Sequence, residues 1–128
     1  MRALVSVGIF KEISPKQFAL NDLAEPLCSD SLYTLKDFAT FVAHPVHNGA
    51  HSALLHTVKT GETGFDYVHG TDSFNYMKTD TEFFKVFNAA MTSISHRDAH
   101  VISKAYDFSC FNTLVDVGGG NGFYLQRF

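Results

Sequence analysis

The sequence predicts a mostly α-helical chain that ends in one strand and a glycine-rich turn, and three patterns lead to this prediction. Apolar residues recur at a spacing near 3.6 through most of the chain, which is typical of amphipathic helices. Short apolar stretches on either side of a proline-containing turn near the start indicate a small hairpin. A run rich in β-branched residues, 113–117, leads directly into four glycines in five positions.

The first thirty residues predict the tail of a winged helix-turn-helix. Residues 1–10 are compatible with the end of a helix, and residues 11–20 with a two-stranded hairpin whose turn lies around residues 14–16. A helix followed by a two-stranded wing is how such modules end. Residues 21–30 are expected to form a short helical segment.

The middle of the chain predicts further helices. Ser31 can cap a helix that runs over residues 31–43, and a second helix is expected from Pro45 to Lys59, where Gly61 stops it. The glycine-rich residues 61–72 are expected to form a loop, and residues 73–78 a short helix.

The best-defined helix is predicted over residues 79–105. Thr79 and Glu82 match a capping box, with Thr79 as the N-cap. Its apolar face is formed by Phe83, Phe87, Ala90, Met91, Ile94, Val101 and Ala105. From the pattern alone, Phe83, Phe87 and Met91 indicate core packing rather than a binding site.

Composition excludes several classes of protein. The chain has 128 residues, 45% of them apolar, and a formal net charge of −3, which fits one ordinary globular domain and rules out wholesale disorder. No apolar run approaches the ~20 residues of a membrane span. Cys28 and Cys110 lie far apart, so neither a disulfide framework nor a zinc knuckle is expected. We therefore predict a reduced, cytoplasmic protein that binds neither membrane nor nucleic acid.

The glycine loop is the part of the sequence that indicates chemistry. A strand that runs into Gly118-x-Gly120-x-Gly122 can turn sharply and bring its backbone against a ligand. The dinucleotide fingerprint G-x-G-x-x-G fits poorly, because Phe123 stands where its last glycine belongs. A generic glycine turn is the alternative, but Asp116 at the end of the strand could face a ligand amino group and favours a binding site.

Residues 114–122 resemble motif I of the class I methyltransferases, and their run of three glycines is similar to that of the caffeate- and hydroxyindole-type O-methyltransferases. Other segments resemble the same family in the same order: residues 20–27 after the wing, the V-x-T-G-E helix end at 58–62, and the F-N-x-x-M helix at 87–91. His69-Gly70 and the Tyr106-Asp107-Phe108 entry to the first strand agree as well.

The resemblance implies two domains and a cofactor. Residues 1–105 would form a helical, winged-helix-like dimerisation domain that is incomplete at its start. Residues 106–128 would begin a truncated Rossmann-like α/β methyltransferase domain that binds S-adenosyl-L-methionine. The resemblance implies an enzyme that transfers a methyl group to a hydroxyl of a small aromatic acceptor and forms a homodimer.

The resemblance also assigns residues to the site. Its cofactor-binding positions are Asp116, Gly118, Gly119, Gly120, Gly122 and Ser95. Phe87 and Met91 would contact the aromatic acceptor. The general-base histidine of the family lies beyond the end of this chain, so no catalytic residue is assigned. We expect a fragment that is inactive alone and binds the cofactor weakly or not at all. Many family members carry a tryptophan near His51, whereas this chain contains no tryptophan. The resemblance therefore does not identify the acceptor.

Seven histidines raise the question of a metal site. His44, His47 and His51 would share one face of an unbroken helix, but Pro45 makes such a helix doubtful, and polar contacts near a pocket or a dimer face are the better interpretation. His96 and His100 lack the glutamate of H-E-x-x-H, so a solvated helix face is favoured there. No metal is predicted.

Two other functions remain open from sequence. A winged-helix DNA-binding module is one, although residues 1–40 carry four basic and five acidic side chains and no basic stripe. A non-catalytic dimerisation partner that keeps the helical part is the other.

Overall fold

The computed structural model describes residues 1–120 and 122–126, and the chain divides into two compact units, Met1–Lys36 and Asp37–Phe128. Helices make up most of the described chain, as the sequence predicts. Among the described helices, none combines the length and the apolar character needed to cross a membrane.

The first unit contains helix α1 (Arg2–Ser6) and a hairpin of β1 (Lys11–Ser14) and β2 (Gln17–Ala19), so the predicted hairpin is confirmed. The strands are antiparallel, and Glu12 pairs with Phe18. The Arg2 guanidinium donates to the Glu12 carboxylate at 3.1 Å, which ties α1 to β1.

The helical segment predicted over residues 21–30 is reduced to one 3-10 turn, Glu25–Leu27. Asn21 Oδ1 accepts from the Ala24 N–H at 3.0 Å and starts the turn. Pro26 has no N–H to donate, and its carbonyl accepts from the Leu35 N–H at 2.6 Å. The backbone therefore leaves the helical path after one turn.

The described part of the second unit contains six α-helices, of which the first begins one residue before the unit. They are α2 (Lys36–Ala43), α3 (Pro45–Ser52), α4 (Leu54–Thr60), α5 (Gly64–His69), α6 (Ser73–Thr79) and α7 (Thr81–Ala105). A 3-10 turn, Tyr124–Gln126, lies near the end of the described chain.

Two predicted helices have different bounds in the structure. The helix expected over residues 31–43 begins only at Lys36, whose N–H donates to Thr34 Oγ1 at 3.2 Å. The helix expected from Pro45 to Lys59 is broken at Ala53, a buried residue with φ −90° and ψ 14°. A Cβ on Gly64 would lie 3.4 Å from the Ala53 Cβ, so α5 approaches closely at the break. The stop at Gly61 is confirmed, with φ 80°.

The loop predicted over residues 61–72 is wrong, because α5 lies within it. Thr63 Oγ1 accepts from the Asp66 N–H at 3.1 Å and caps the helix. Gly70, with φ 71°, ends it in the left-handed conformation. The glycines of this segment thus lie at helix ends and do not prevent a short helix from forming.

The predicted capping box at Thr79 is also wrong. Thr79 belongs to α6, and its hydroxyl donates to the Tyr76 carbonyl at 2.8 Å. Asp80 is the N-cap of α7 and accepts from the Phe83 N–H at 2.9 Å. The predictions of α6 and of α7 as the longest helix are confirmed, α7 having 25 residues.

Residues 113–117, predicted as the first strand of an α/β sheet, form no strand; the described residues contain one sheet, made of β1 and β2. Val115 is 76% exposed and Val117 is 92% exposed. A parallel strand acquires neighbours through βαβ crossovers, and these residues have no strand beside them. The segment is therefore irregular and leads into the glycine loop.

The core of the second unit lies between α2, α6 and α7. Its buried members are Phe41, Met77, Phe83 and Ala90. Phe87 and Met91 are partly buried and pack against this cluster. The first part of the face of α7 that the sequence predicts to be apolar therefore supports the core, whereas Val101 and Ala105, further along the same face, are exposed.

Candidate functional site

The glycine loop has a backbone that glycine alone adopts readily. Gly118, Gly120 and Gly122 have φ values of 75°, 52° and 67°, in the left-handed region. The Gly122 N–H donates to the Gly119 carbonyl at 2.7 Å and closes a turn. Side chains at these three glycines would strain the backbone, although nothing described lies within 4 Å of their Cβ positions. The loop is thus open on its outer side.

Asp116 and Gly119 come together at the base of this loop. A Cβ on Gly119 would collide with the Asp116 carboxylate, so glycine at this position allows the carboxylate to lie against the backbone. Asp116 Oδ2 is buried and has no hydrogen-bond partner among the described residues. A buried carboxylate oxygen without a donor is costly, and a ligand ammonium group would satisfy it.

The chain that follows the loop contacts α7. The rings of Phe123 and His96 lie 4.8 Å apart, and the 3-10 turn Tyr124–Gln126 also contacts α7. Ser95 is next to His96 on α7 and is half-buried. The structure therefore places the segment after the loop near the helical turn that holds Ser95.

An aromatic cavity of about 280 Å³ lies within the second unit, between α2, α3, α5, α6 and α7. Its apolar walls include Phe41, Phe65, Phe74, Met77, Phe83 and Phe87. The Phe41 and Phe87 rings meet edge to face at 5.7 Å. This wall suits a planar apolar ligand, because ring edges and faces attract each other in such arrangements.

The predicted acceptor residues are placed differently by the structure. Phe87 lines the aromatic cavity. Met91 packs against the core cluster beside it and is not among the described residues that line the cavity. Sequence reasoning missed Phe41, Phe65 and Met77, because their separation along the chain gives no signal that three helices bring them to one cavity.

Polar groups at the cavity come from two histidines of α3. The His47 and His51 rings lie 4.5 Å apart, and both residues line the cavity. His51 Nδ1 is 3.1 Å from the His47 carbonyl oxygen, whereas His47 Nδ1 is buried without a partner in the described chain. Burial of the ring, and then the nearby His51, lower the pKa of His47.

The third histidine of this group has a structural role. His44 is the N-cap of α3, and its Nδ1 accepts from the Val46 N–H at 3.3 Å. Within residues 1–120 and 122–126, no three His, Cys, Asp or Glu side chains are grouped so as to hold a metal ion. His51 makes one of the predicted polar contacts near a pocket, because its Nδ1 lies 3.1 Å from the His47 carbonyl oxygen.

A helical fold with a motif-I-like glycine loop and an aromatic cavity defines a methyltransferase-type chain, and comparison with known proteins agrees. Residues 51–128 match the O-methyltransferase domain family. The chain belongs to this family.

Individual relatives point the same way. The mitomycin biosynthesis 6-O-methyltransferase of Streptomyces lavendulae is 38% identical over 123 residues, which are 95% of this chain and 35% of the relative. The phenazine O-methyltransferase PhzM of Lysobacter antibioticus is 35% identical over 122 residues, 95% of this chain and 36% of the relative. The chain thus spans about a third of the length of the curated relatives it matches.

The fold agrees with solved structures. The mitomycin 7-O-methyltransferase MmcR superposes with a TM-score of 0.79 at 37% identity, over 98% of this chain and 38% of that one. The N,N-8-amino-8-demethyl-D-riboflavin dimethyltransferase RosA from Streptomyces davawensis superposes with a TM-score of 0.76 at 26% identity, over 98% and 38% of the two chains.

Proposed function

We propose that this chain is part of an enzyme that transfers a methyl group from S-adenosyl-L-methionine to a hydroxyl of a small aromatic acceptor, and that the chain alone is inactive. The observation that carries the proposal is the unpartnered, buried Asp116 oxygen at the base of the glycine loop. The names of the relatives, which are O-methyltransferases of mitomycin and phenazine, support an aromatic acceptor. Family membership favours this enzyme over a winged-helix DNA-binding module or a non-catalytic dimerisation partner.

The cofactor-binding residues in this proposal are Asp116, Gly118, Gly119, Gly120 and Gly122, together with Ser95. When bound, S-adenosyl-L-methionine supplies a methyl group on a sulfonium centre. The Asp116 carboxylate accepts hydrogen bonds from the cofactor's amino group, and the open loop lets the ligand approach the backbone. Ser95 is half-buried on the helix that the segment after the loop contacts.

The acceptor in this proposal contacts Phe87 and Met91. Phe87 presents its ring to the aromatic cavity, and Met91, four residues further along α7, packs beside the same cluster. Their role is to hold the acceptor ring in one orientation, since in-line displacement depends on positioning. Removal of the hydroxyl proton is assigned to no residue of this chain.

Cofactor binding is tested by isothermal titration of S-adenosyl-L-methionine into the complete enzyme and into its Gly120→Val variant. A β-branched residue at φ 52° strains the loop, so binding is expected to be lost. Gly61→Val is the matched control, because Gly61 has φ 80° and open space around its Cβ position but lies at the end of α4. Equal affinity of Gly120→Val and the native protein would refute the loop assignment.

Methyl transfer is tested in the complete enzyme with cofactor labelled on the methyl group and a panel of phenols and naphthols. There, Met91→Ala is expected to lower turnover more than stability, because the side chain faces the acceptor. A lower melting temperature with unchanged activity per folded molecule would show that Met91 only packs in the core, where truncation to alanine costs ~2–5 kcal/mol.

We also propose that residues 1–105 form a winged-helix-like dimerisation domain and that the protein is a cytoplasmic homodimer. Exposed apolar side chains support association: Leu54, Leu55 and Val58 of α4 are 65%, 66% and 74% exposed. Cys28 and Cys110 are unpaired, which suits a reducing compartment. Sedimentation equilibrium should show a dimer that Leu55→Lys with Val58→Lys weakens, and a monomer at all concentrations would contradict the proposal.

A further inference from the structure

We infer that His47 determines specificity by accepting, at Nδ1, a hydrogen bond from a hydroxyl or amino group on an aromatic ligand in the cavity of the second unit. This inference rests on the proposed function, which supplies the aromatic ligand. It adds a polar requirement to a cavity whose other walls are mostly apolar.

The position of the ring carries the first step. His47 lies on α3 with its ring centroid 4.2 Å from that of Phe41 and 4.5 Å from that of His51. The residue lines the cavity, and its Nδ1 is removed from solvent without a partner in the described chain. A buried polar atom without a partner is rare in native proteins, and a donor on a bound ligand would supply the missing partner.

The protonation of the ring carries the second step. In this inference the proton of the neutral ring is on Nε2, and Nδ1 is the ring nitrogen without a partner in the described chain. A neutral imidazole has one N–H, which leaves a lone pair on Nδ1. Burial and the neighbouring His51 lower the pKa of His47, which keeps the ring neutral at pH 7.

The size and shape of the cavity carry the third step. Its volume is about 280 Å³, whereas an apolar cavity on the order of 150 Å³ already holds benzene. A fused pair of rings therefore fits in volume. A ligand with a donor satisfies Nδ1, and a ligand of the same shape without a donor leaves it unpaired, which sites of this kind discriminate against.

The test compares 2-naphthol with 2-methoxynaphthalene, which has the same rings but no donor, in binding to the full chain without cofactor. The native protein is expected to prefer 2-naphthol about tenfold, the factor that ~1.4 kcal/mol represents. His47→Phe should reduce the preference to about one. His47→Asn should restore most of it, because the amide oxygen can take the place of Nδ1 as acceptor. His51→Asn is the matched control and should keep the preference.

A second readout uses the native protein and does not depend on whether a variant folds. Addition of 2-naphthol should shift the ¹⁵N resonance of His47 Nδ1, and 2-methoxynaphthalene should not. An unchanged preference in His47→Phe, an unmoved Nδ1 resonance, or no binding of either naphthalene would overturn the inference. Failure of methyl transfer by the complete enzyme, with an intact naphthol preference, would instead refute the proposed function alone.

Discussion

At the boundary of α6 and α7, one side chain decides where a helix begins. Thr79 and Asp80 are both good N-cap residues, and a glutamate three residues after Thr79 makes a capping box plausible there. In the structure the Thr79 hydroxyl donates back to the Tyr76 carbonyl, so it is used within α6. Asp80 accepts from the Phe83 N–H instead, so the N-cap of α7 lies one residue later than predicted.

Asp80→Ala is therefore expected to lower the free energy of unfolding by about 1 kcal/mol, the usual cost of losing an N-cap. Thr79→Ala is the matched control and should cost less, because back-bonding of a threonine hydroxyl to its own helix contributes little. Urea unfolding followed by circular dichroism measures both. A larger loss in Thr79→Ala would show that the capping box forms in solution.

Sequence patterns also predict only some features of the site residues. The special φ angles of Gly118 and Gly120 were predictable, because their sequence context already requires a tight turn. The unpartnered Nδ1 of His47 was not, since it depends on the neighbouring His51 and the aromatic walls of the cavity. A local pattern can place a residue in a turn, but only the packed helices decide which ring nitrogen lacks a partner.

At the scale of elements, the contact between α3 and α5 depends on one glycine. A Cβ on Gly64 would lie 2.6 Å from the Ala50 carbonyl oxygen, whereas a Cβ on Gly49 would lie 3.9 Å from Val68 Cγ1. The two glycines thus have different structural roles. Gly64 permits the close approach of α5, and Gly49 lies within α3 with room for a methyl group.

Gly64→Ala should destabilise the protein by ~1–3 kcal/mol, since the added methyl group must displace backbone. Gly49→Ala should stabilise it by ~0.5–1 kcal/mol through helix propensity. Thermal melts of the two variants give opposite shifts if the helices pack as described. Shifts of the same sign would contradict the close approach at Gly64.

Elements were predictable from sequence to the extent that they depend on local patterns. The long apolar periodicity of α7 identified it, and the hairpin followed from its turn. The break at Ala53 and the short helix α5 depend on each other through packing, so neither appears in a local pattern. Residues 113–117 show the converse, because a strand-like pattern forms no strand without a neighbour.

At the scale of the whole molecule, pH acts on stability through groups whose pKa values differ between the folded and unfolded states. In the second unit, hydrogen bonds from the Asn75 and Phe74 backbone N–H groups and the Asn75 side chain lower the pKa of Asp72 from its ordinary 3.8, with the Asn75 backbone bond contributing most. Burial lowers the pKa of His47 from its ordinary 6.5. Both groups resist protonation in the folded state, so both contribute stability at neutral pH.

We therefore expect the melting temperature to fall in two separate pH ranges as the solution is acidified. Below pH 6.5, His47 binds a proton more readily in the unfolded chain than in the folded chain, so acid favours unfolding. Below pH 3.8, the same is true of Asp72. His47→Phe should flatten the curve in the upper range and leave the lower range intact. Asp72→Asn, which keeps an N-cap side chain on α6 but removes its charge, should do the reverse. An unchanged fall of the melting temperature below pH 6.5 in His47→Phe would mean that another group causes it. The neutral His47 ring, on which the proposed ligand recognition depends, would then have no support from this measurement.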